Sequence, residues 1–215
     1  MKTFQISFFF LIFVHACVMP PETEELKNNR DLQSSIEQCF YLCKPGFKKE
    51  VIFNLDMLCR SWPEFDAGED ILGWVYYFDT KPVLARQFWS EESDEYHLDI
   101  AAGMLFLAAD SLNSTEVIRL GQQIIGEAPQ WYLGKEVFQR YSPIYGFHEY
   151  ISVNHVDIRV LMAEAYYVEG NLTQALAMLK SIDNTLMISD NDPRLAHILL
   201  DLISEYMQEY VLSFN

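Results

Sequence analysis

The sequence predicts an all-α protein with a single domain. Apolar residues recur at intervals of three and four over most of the chain after residue 30, which is the spacing of one helix face. No stretch alternates apolar and polar residues for long enough to indicate a sheet. The 215 residues, half of them apolar, suffice for one sizeable core and hardly for two. We therefore expect one helical domain over residues 31–215.

The first seventeen residues, MKTFQISFFFLIFVHAC, have the features of an export signal. Lys2 supplies the positive end, and residues 4–14 form an apolar run that is too short to span a bilayer comfortably. Val14-His15-Ala16 fits cleavage by an ordinary signal peptidase, which predicts a signal peptide over 1–16. With Cys17 added, the same segment resembles a bacterial lipobox, although His15 is unusual there.

A lipobox implies that Cys17 becomes an acylated N-terminus carrying diacylglycerol and palmitate-like chains, which is a stable membrane anchor. The next residues include Pro20-Pro21 and suit a tether, so we expect anchor and tether over 17–30. We favour this lipoprotein, placed in a bacterial envelope at the periplasmic face of the outer membrane. The alternative is a secreted protein without lipid, for which Asn113 and Asn171 lie in formal glycosylation sequons.

The charge balance limits the choice of partners. Asp and Glu number 31 against 15 Lys and Arg, which gives a formal net charge of −16. Such a chain repels nucleic-acid phosphates and anionic lipid surfaces. We expect a protein or peptide partner, no nucleic acid, and contact with a membrane through the lipid anchor only.

The first half of the domain predicts five helices. Lys44-Pro45-Gly46 ends the first, Pro63 ends the second, and Pro82 occupies the first position of the fourth. The apolar stripes are, in order, Leu32, Ile36, Cys39, Phe40 and Cys43; Val51, Leu55, Leu58 and Cys59; Ile71, Leu72, Val75, Tyr76 and Phe78; Leu84, Phe88 and Trp89; and the segment from Leu98 to Ala109.

The second half predicts five more helices. Asn113 with Glu116 is a cap and its partner before a sixth helix, and Pro129 opens a seventh. Residues 142–153 form the longest break. Asn154 caps an eighth helix that ends before Gly170, and a ninth follows over residues 172–182. The Asp192-Pro193 pair then marks the start of the last helix.

Small residues recur with a period close to 30 residues. Gly73, Gly103, Gly134 and Ala163 are separated by 30, 31 and 29 residues and stand at similar points of the predicted helices. Repeat architectures place a small residue where two helices cross closely. The period indicates repeated helical hairpins, although it is shorter than the roughly 34 residues of a tetratricopeptide repeat.

Residues 157–183, DIRVLMAEAYYVEGNLTQALAMLKSID, resemble one tetratricopeptide repeat within a best-matching segment of 155–183. The resemblance implies close helix crossing at two alanines, large packing residues beside them and a tight turn between the helices. A degenerate copy begins at Gly73, and a looser one surrounds Gly103. The packing residues so assigned are Gly73, Gly103, Ala163, Tyr166, Gly170, Ala175 and Leu179.

The resemblance covers roughly residues 65–185 and leaves extra or capping helices on both sides. It implies irregular tetratricopeptide-like hairpins stacked in a short right-handed solenoid or bundle, as in envelope lipoproteins of this type. The alternative is a generic helical bundle with one accidental match.

Aromatic residues cluster around the long break, and we expect them to form an exposed patch for partner binding, because aromatics dominate binding hot spots. The alternative is that they fill the space beneath that loop. The six residues are Trp131, Tyr132, Tyr141, Tyr145, Phe147 and Tyr150.

No local motif indicates catalysis, so we expect no enzyme activity, no cofactor and no metal. The chain has no P-loop, no nucleophile elbow and no histidine pair at metalloprotease spacing. Cys59 could form a disulfide with Cys39 or Cys43 if the first two helices form a hairpin, or all three could be buried apolar residues. The expected function is therefore an exported interaction scaffold or assembly factor. An exported hydrolase with a site built from distant residues is the enzymatic alternative.

Overall fold

A computed structural model describes residues 24–89, 97–141 and 153–211, and over these ranges the protein is all-α. The described helices are α1 (Glu24–Tyr41), α2 (Lys48–Ser61), α3 (Gly68–Phe78), α4 (Pro82–Trp89), α5 (His97–Asp110), α6 (Ser114–Glu127), α7 (Lys135–Tyr141), α8 (His155–Val168), α9 (Leu172–Ile182) and α10 (Leu195–Tyr206), which continues as a π-helical segment over Met207–Val211.

The helices pack mainly as pairs of sequence neighbours joined by short turns. The pairs are α1 with α2, α3 with α4, α5 with α6, and α8 with α9, and each pair also contacts the next. The short α7 packs against α1 and α5, while α10 covers α8 and α9. One continuous apolar core runs through all of these pairs.

The pair α8 and α9 begins and ends where the sequence predicts. Asn154 accepts a hydrogen bond from Val156 N at 2.8 Å, and Asp157 accepts one from Asn154 N at 2.7 Å, which satisfies backbone donors at the start of α8. Gly170 has φ +75° just past the end of α8, in the left-handed region that favours glycine. Asn171 then caps α9 by accepting from Gln174 N.

The residues assigned to repeat packing in this pair lie in the core. Ala163, Ala175 and Leu179 are completely buried. Tyr166 is buried as well, and its hydroxyl accepts a hydrogen bond from Gln122 Nε2 at 2.9 Å. Small side chains at these positions let the two helix backbones approach each other.

Two glycines of the predicted period make room for one tryptophan. A Cβ on Gly73 of α3 or on Gly103 of α5 would collide with the indole of Trp89 at the end of α4. Trp89 is 3% exposed and packs against Trp74 with ring centroids 5.1 Å apart. The missing side chains of the two glycines therefore allow α3, α4 and α5 to close around one large ring.

Pro129 does not open a helix, contrary to the prediction. Residues 129–134 form a turn, and α7 begins only at Lys135. Gly134 lies in this turn with φ +81°, so it is not a crossing point of two helices. The cause is long-range: Leu133 N donates to Val153 O and His155 N donates to Trp131 O, which gives a single antiparallel bridge between Tyr132 and Asn154.

Both ends of the helical region also differ from expectation. The first helix begins at Glu24, inside the segment expected to be a tether, and the residue types there include good helix formers. The last helix begins at Leu195 rather than at Pro193, because Asp192 accepts a hydrogen bond from Arg194 N and holds residues 192–194 in a turn.

The three cysteines of the described region are free thiols, and α1 and α2 do form a hairpin. Cys39 and Cys43 are buried, whereas Cys59 is exposed. Burial raises the pKa of Cys39 to about 12, and the nearby Cys59 adds to this effect. Such thiols are protonated at neutral pH and therefore behave as apolar core residues.

Candidate partner-binding surface

The aromatic cluster predicted for partner binding is not an exposed patch where the structure describes it. Trp131 is completely buried, so its assignment to an exposed surface is wrong. Tyr132 and Tyr141 are half-buried, and the Tyr141 hydroxyl donates to Asp66 Oδ1 at 2.8 Å. Tyr145, Phe147 and Tyr150 lie outside the described residues, as does Cys17.

The indole N–H of Trp131 can be buried because a carboxylate in the core accepts its hydrogen bond. Trp131 Nε1 donates to Asp99 Oδ1 at 3.0 Å, and Gly134 N donates to Asp99 Oδ2 at 3.0 Å. Asp99 is 1% exposed, and burial together with the nearby carboxyl groups raises its pKa well above the usual range. This network connects α5 to the turn before α7, so it has a structural role.

A second carboxyl lies in the core close to this network. Asp70 of α3 is 4% exposed, and its Oδ2 has no hydrogen-bond partner among the described residues. Burial raises the pKa of Asp70 to about 7, with further contributions from Glu136, Glu69 and Asp66. Glu136 itself accepts from Leu98 N at 3.0 Å and so caps α5. In the described part of the chain, no group of three or more His, Cys, Asp or Glu side chains could hold a metal ion.

A pocket lined by lysines lies between the end of α1, the start of α2 and the end of α3. We call it the lysine pocket. Its volume is about 410 Å³. Its lining comprises Leu42, Cys43, Lys44, Gly46, Lys48, Lys49, Glu50, Val51, Val75, Phe78 and Asp79.

Most of the lysine side chains at this pocket are held in place by neighbours. Lys48 Nζ is 2.7 Å from Asp79 Oδ2 and 4.5 Å from the centre of the Tyr76 ring. Lys44 Nζ lies 4.5 Å from the centre of the Tyr41 ring. The hydrogen bond with Asp79 raises the pKa of Lys48, so this lysine is charged over the whole physiological range. The pocket is therefore polar and positively charged.

The outer face of α2 continues from the lysine pocket. Val51, Leu55 and Leu58 point into the core, and the opposite side of the helix exposes both apolar and charged side chains. Phe53 is 65% exposed and Met57 is 49% exposed. Four exposed residues lie in one line along the helix, because they are spaced three or four residues apart. We call this surface the α2 face; it consists of Lys49, Phe53, Met57 and Arg60.

The charge of this region is opposite to that of the rest of the chain. Residues 44–60 contain four basic and two acidic residues, which gives this segment a formal charge of +2. The other residues together carry −18, and the two values add up to the net charge of −16. Among the described residues, Lys44 and Lys49 take part in no ion pair. Arg60 pairs with Asp56 at 2.9 Å across one helical turn on the exposed surface.

The sequence pattern of α2 predicts its buried stripe but not the α2 face, because periodicity does not indicate what covers the other side of a helix. The signal was present, since Phe53 and Met57 are four residues apart on the side opposite Leu55, and three lysines occur within residues 44–49. Exposed apolar side chains that lie next to each other on a helix are candidates for contact with a partner.

Comparison with known proteins identifies no relative: the chain matches no protein-family model, no curated protein sequence and no solved structure. Within residues 24–89, 97–141 and 153–211, no helix has the combination of length and apolar character needed to cross a bilayer.

Proposed function

We propose that this chain is an exported interaction scaffold or assembly factor, built on tetratricopeptide-like hairpins and attached to a bacterial membrane through Cys17. The observation that carries the protein-binding part is the α2 face, which leaves Phe53 and Met57 exposed between two basic residues. Exposed apolar side chains grouped on one helix are typical of protein-binding surfaces.

Several features support the repeat architecture. Four successive helix pairs pack against one another, and the small residues of the best repeat, Ala163 and Ala175, are completely buried. The glycines of the degenerate copies accommodate Trp89. Hairpins stacked in this way bury their apolar faces between neighbours and leave long surfaces for a partner segment.

The anchor and the partner are tested separately. In cells that naturally produce the protein, mass spectrometry of the N-terminal peptide should find acyl chains on Cys17 and a Cys17→Ser variant should leave the membrane fraction. Glycans on Asn113 and Asn171, with a free N-terminus, would instead establish the secreted alternative. Both asparagines are exposed at turns between helices, so glycan attachment is sterically open.

Partner binding is tested by photo-crosslinking from several exposed positions of the full-length protein in the same cells. Photoreactive benzoylphenylalanine replaces Phe53 on α2, Leu112 in the turn after α5, or Val168 at the end of α8, which are 65%, 87% and 67% exposed. A scaffold should give a protein adduct from at least one position. Adducts from none of them would refute the proposed function.

A further inference from the structure

Resting on this proposed function, we infer that the α2 face and the lysine pocket together bind an acidic amphipathic helix of another protein. The partner helix would present carboxylates at two points and apolar side chains between them.

The first observation is the order of residues along α2. Basic Lys49 and Arg60 flank apolar Phe53 and Met57, and all four are exposed on one side of the helix. At 1.5 Å per residue, Lys49 and Arg60 are about 16 Å apart along the axis. A partner helix lying along α2 would therefore need carboxylates about eleven residues apart, with two apolar side chains facing Phe53 and Met57. A partner carboxylate at Arg60 would share the guanidinium with Asp56, so Lys49 is the stronger of the two contact points.

The second observation is that the lysine pocket extends this line at its N-terminal end. Lys49 belongs to both the pocket and the face, and Lys44 and Lys48 lie beside it. Phe47, at the N-cap of α2, provides no side-chain hydrogen bond to the helix, so no side-chain acceptor of this residue caps the first backbone N–H groups. The positive end of the helix dipole also faces this region. A carboxylate of the partner entering here would meet two lysines, Lys44 and Lys49, that have no ion pair within the described ranges.

The third observation is that the charge of this surface is opposite to that of the rest of the molecule and complementary to that of an acidic partner. Residues 44–60 carry +2 whereas the remaining chain carries −18. Screening limits each charge to a range of about 8 Å at physiological ionic strength, so a bound helix senses mainly the local positive charge. A nucleic acid or an anionic bilayer is much larger and would also meet the acidic remainder, which disfavours both.

The test begins with the adduct formed from position 53. Mass spectrometry of this adduct identifies the crosslinked segment of the partner, which should be an amphipathic sequence with a net negative charge. A synthetic peptide of that segment, carrying a fluorophore, is then titrated with the purified full-length protein, and binding is measured by fluorescence anisotropy.

Charge reversal at the α2 face decides whether the contact has the proposed chemistry. Lys49→Glu should weaken binding of the peptide at least tenfold, and a peptide with its facing Glu changed to Lys should recover most of this loss. Arg86→Glu makes the same charge change on the exposed surface of α4 and should leave the affinity unchanged. Circular dichroism confirms that both variants are folded.

Each other outcome counts against the inference. An adduct at position 53 with a basic or uncharged segment, with lipid, or with a second copy of this chain would overturn it. Equal effects of Lys49→Glu and Arg86→Glu would overturn it as well. Protein adducts only from Leu112 or Val168 would refute this surface while leaving the scaffold function standing.

Discussion

Asp70 is a buried residue whose ionisation opposes folding. Its side chain is 4% exposed, and Oδ2 has no hydrogen-bond partner in the described structure. Burial is the main reason for its pKa of about 7, and the carboxylates of Glu136, Glu69 and Asp66 add to it. A charged carboxyl without hydrogen bonds is costly in the core, whereas its protonated form is much less so.

We predict that Asp70→Asn stabilises the protein at pH 8 and changes little at pH 4. The pKa of about 7 in the folded state exceeds the unfolded value of about 4, so the folded state binds more protons between these pH values. Stability therefore falls as pH rises through this window. Asn has no charge to bury, so urea unfolding at pH 8 should show a gain on the order of 2–4 kcal/mol.

Asp99→Asn is the matched control for this prediction, because Asp99 is as buried as Asp70 but accepts hydrogen bonds from Trp131 and Gly134. Its amide variant places an NH₂ group against one of these donors and should lose stability, by about 1–3 kcal/mol. Equal effects of the two substitutions would show that hydrogen bonding does not distinguish the two carboxyls.

At the scale of helices, the packing of α3, α4 and α5 around Trp89 gives the next prediction. We predict that Gly103→Ala destabilises the protein by about 1–3 kcal/mol, because the added Cβ would lie 2.5 Å from Trp89 Cζ2. Trp89→Phe removes that atom, so the double variant should lose less stability than the sum of the single ones. Thermal unfolding of the four proteins measures this coupling.

A glycine elsewhere in the fold provides the control for Gly103→Ala. Gly126 in α6 has nothing within 4 Å of the place where a Cβ would stand. Gly126→Ala should therefore be neutral or stabilising by up to about 1 kcal/mol, since alanine favours the helix. Destabilisation by both substitutions would mean that the space around Gly103 is not the cause.

The start of α8 depends on one side chain. We predict that Asn154→Ala lowers the free energy of unfolding by about 1 kcal/mol, because Val156 N loses its acceptor. Asn154→Ser keeps an acceptor oxygen and should lose only a small part of this stability. Urea unfolding of the two variants distinguishes them, and equal losses would contradict a capping role.

The capped helices are also those that the sequence predicted well. Asn113, Asn154 and Gly170 act within a few residues of their positions, so local chemistry sufficed to predict the helix ends there. The turn before α7 was missed because Asp99, more than thirty residues earlier, holds Trp131 and Gly134. The same limit applies to the α2 face, since periodicity does not indicate whether other helices cover the second apolar side.

For the whole molecule, the dominant electrostatic property is self-repulsion. The formal net charge is −16, and the acidic residues outside residues 44–60 are distributed along the rest of the sequence. Repulsion of this kind acts between surface charges through water, so salt screens it, whereas the desolvation of buried carboxyls responds much less to salt. Acidification removes both effects, because it protonates buried and exposed carboxyls in turn.

Salt therefore separates these two contributions to the pH dependence of stability. At pH 8, raising NaCl from about 10 mM to about 300 mM should raise the melting temperature by roughly 2–5 °C, because screening weakens the repulsion. Near pH 4.5, the isoelectric point, the same salt step should have little effect, because the net charge is close to zero. The stability gained on acidification from pH 8 to pH 5 at high salt then belongs to the buried carboxyls, above all Asp70, Asp99 and Asp157, whose pKa values burial raises. Asp70→Asn should reduce this gain, and a melting temperature independent of pH at high salt would show that burial does not raise the pKa values of these carboxyls.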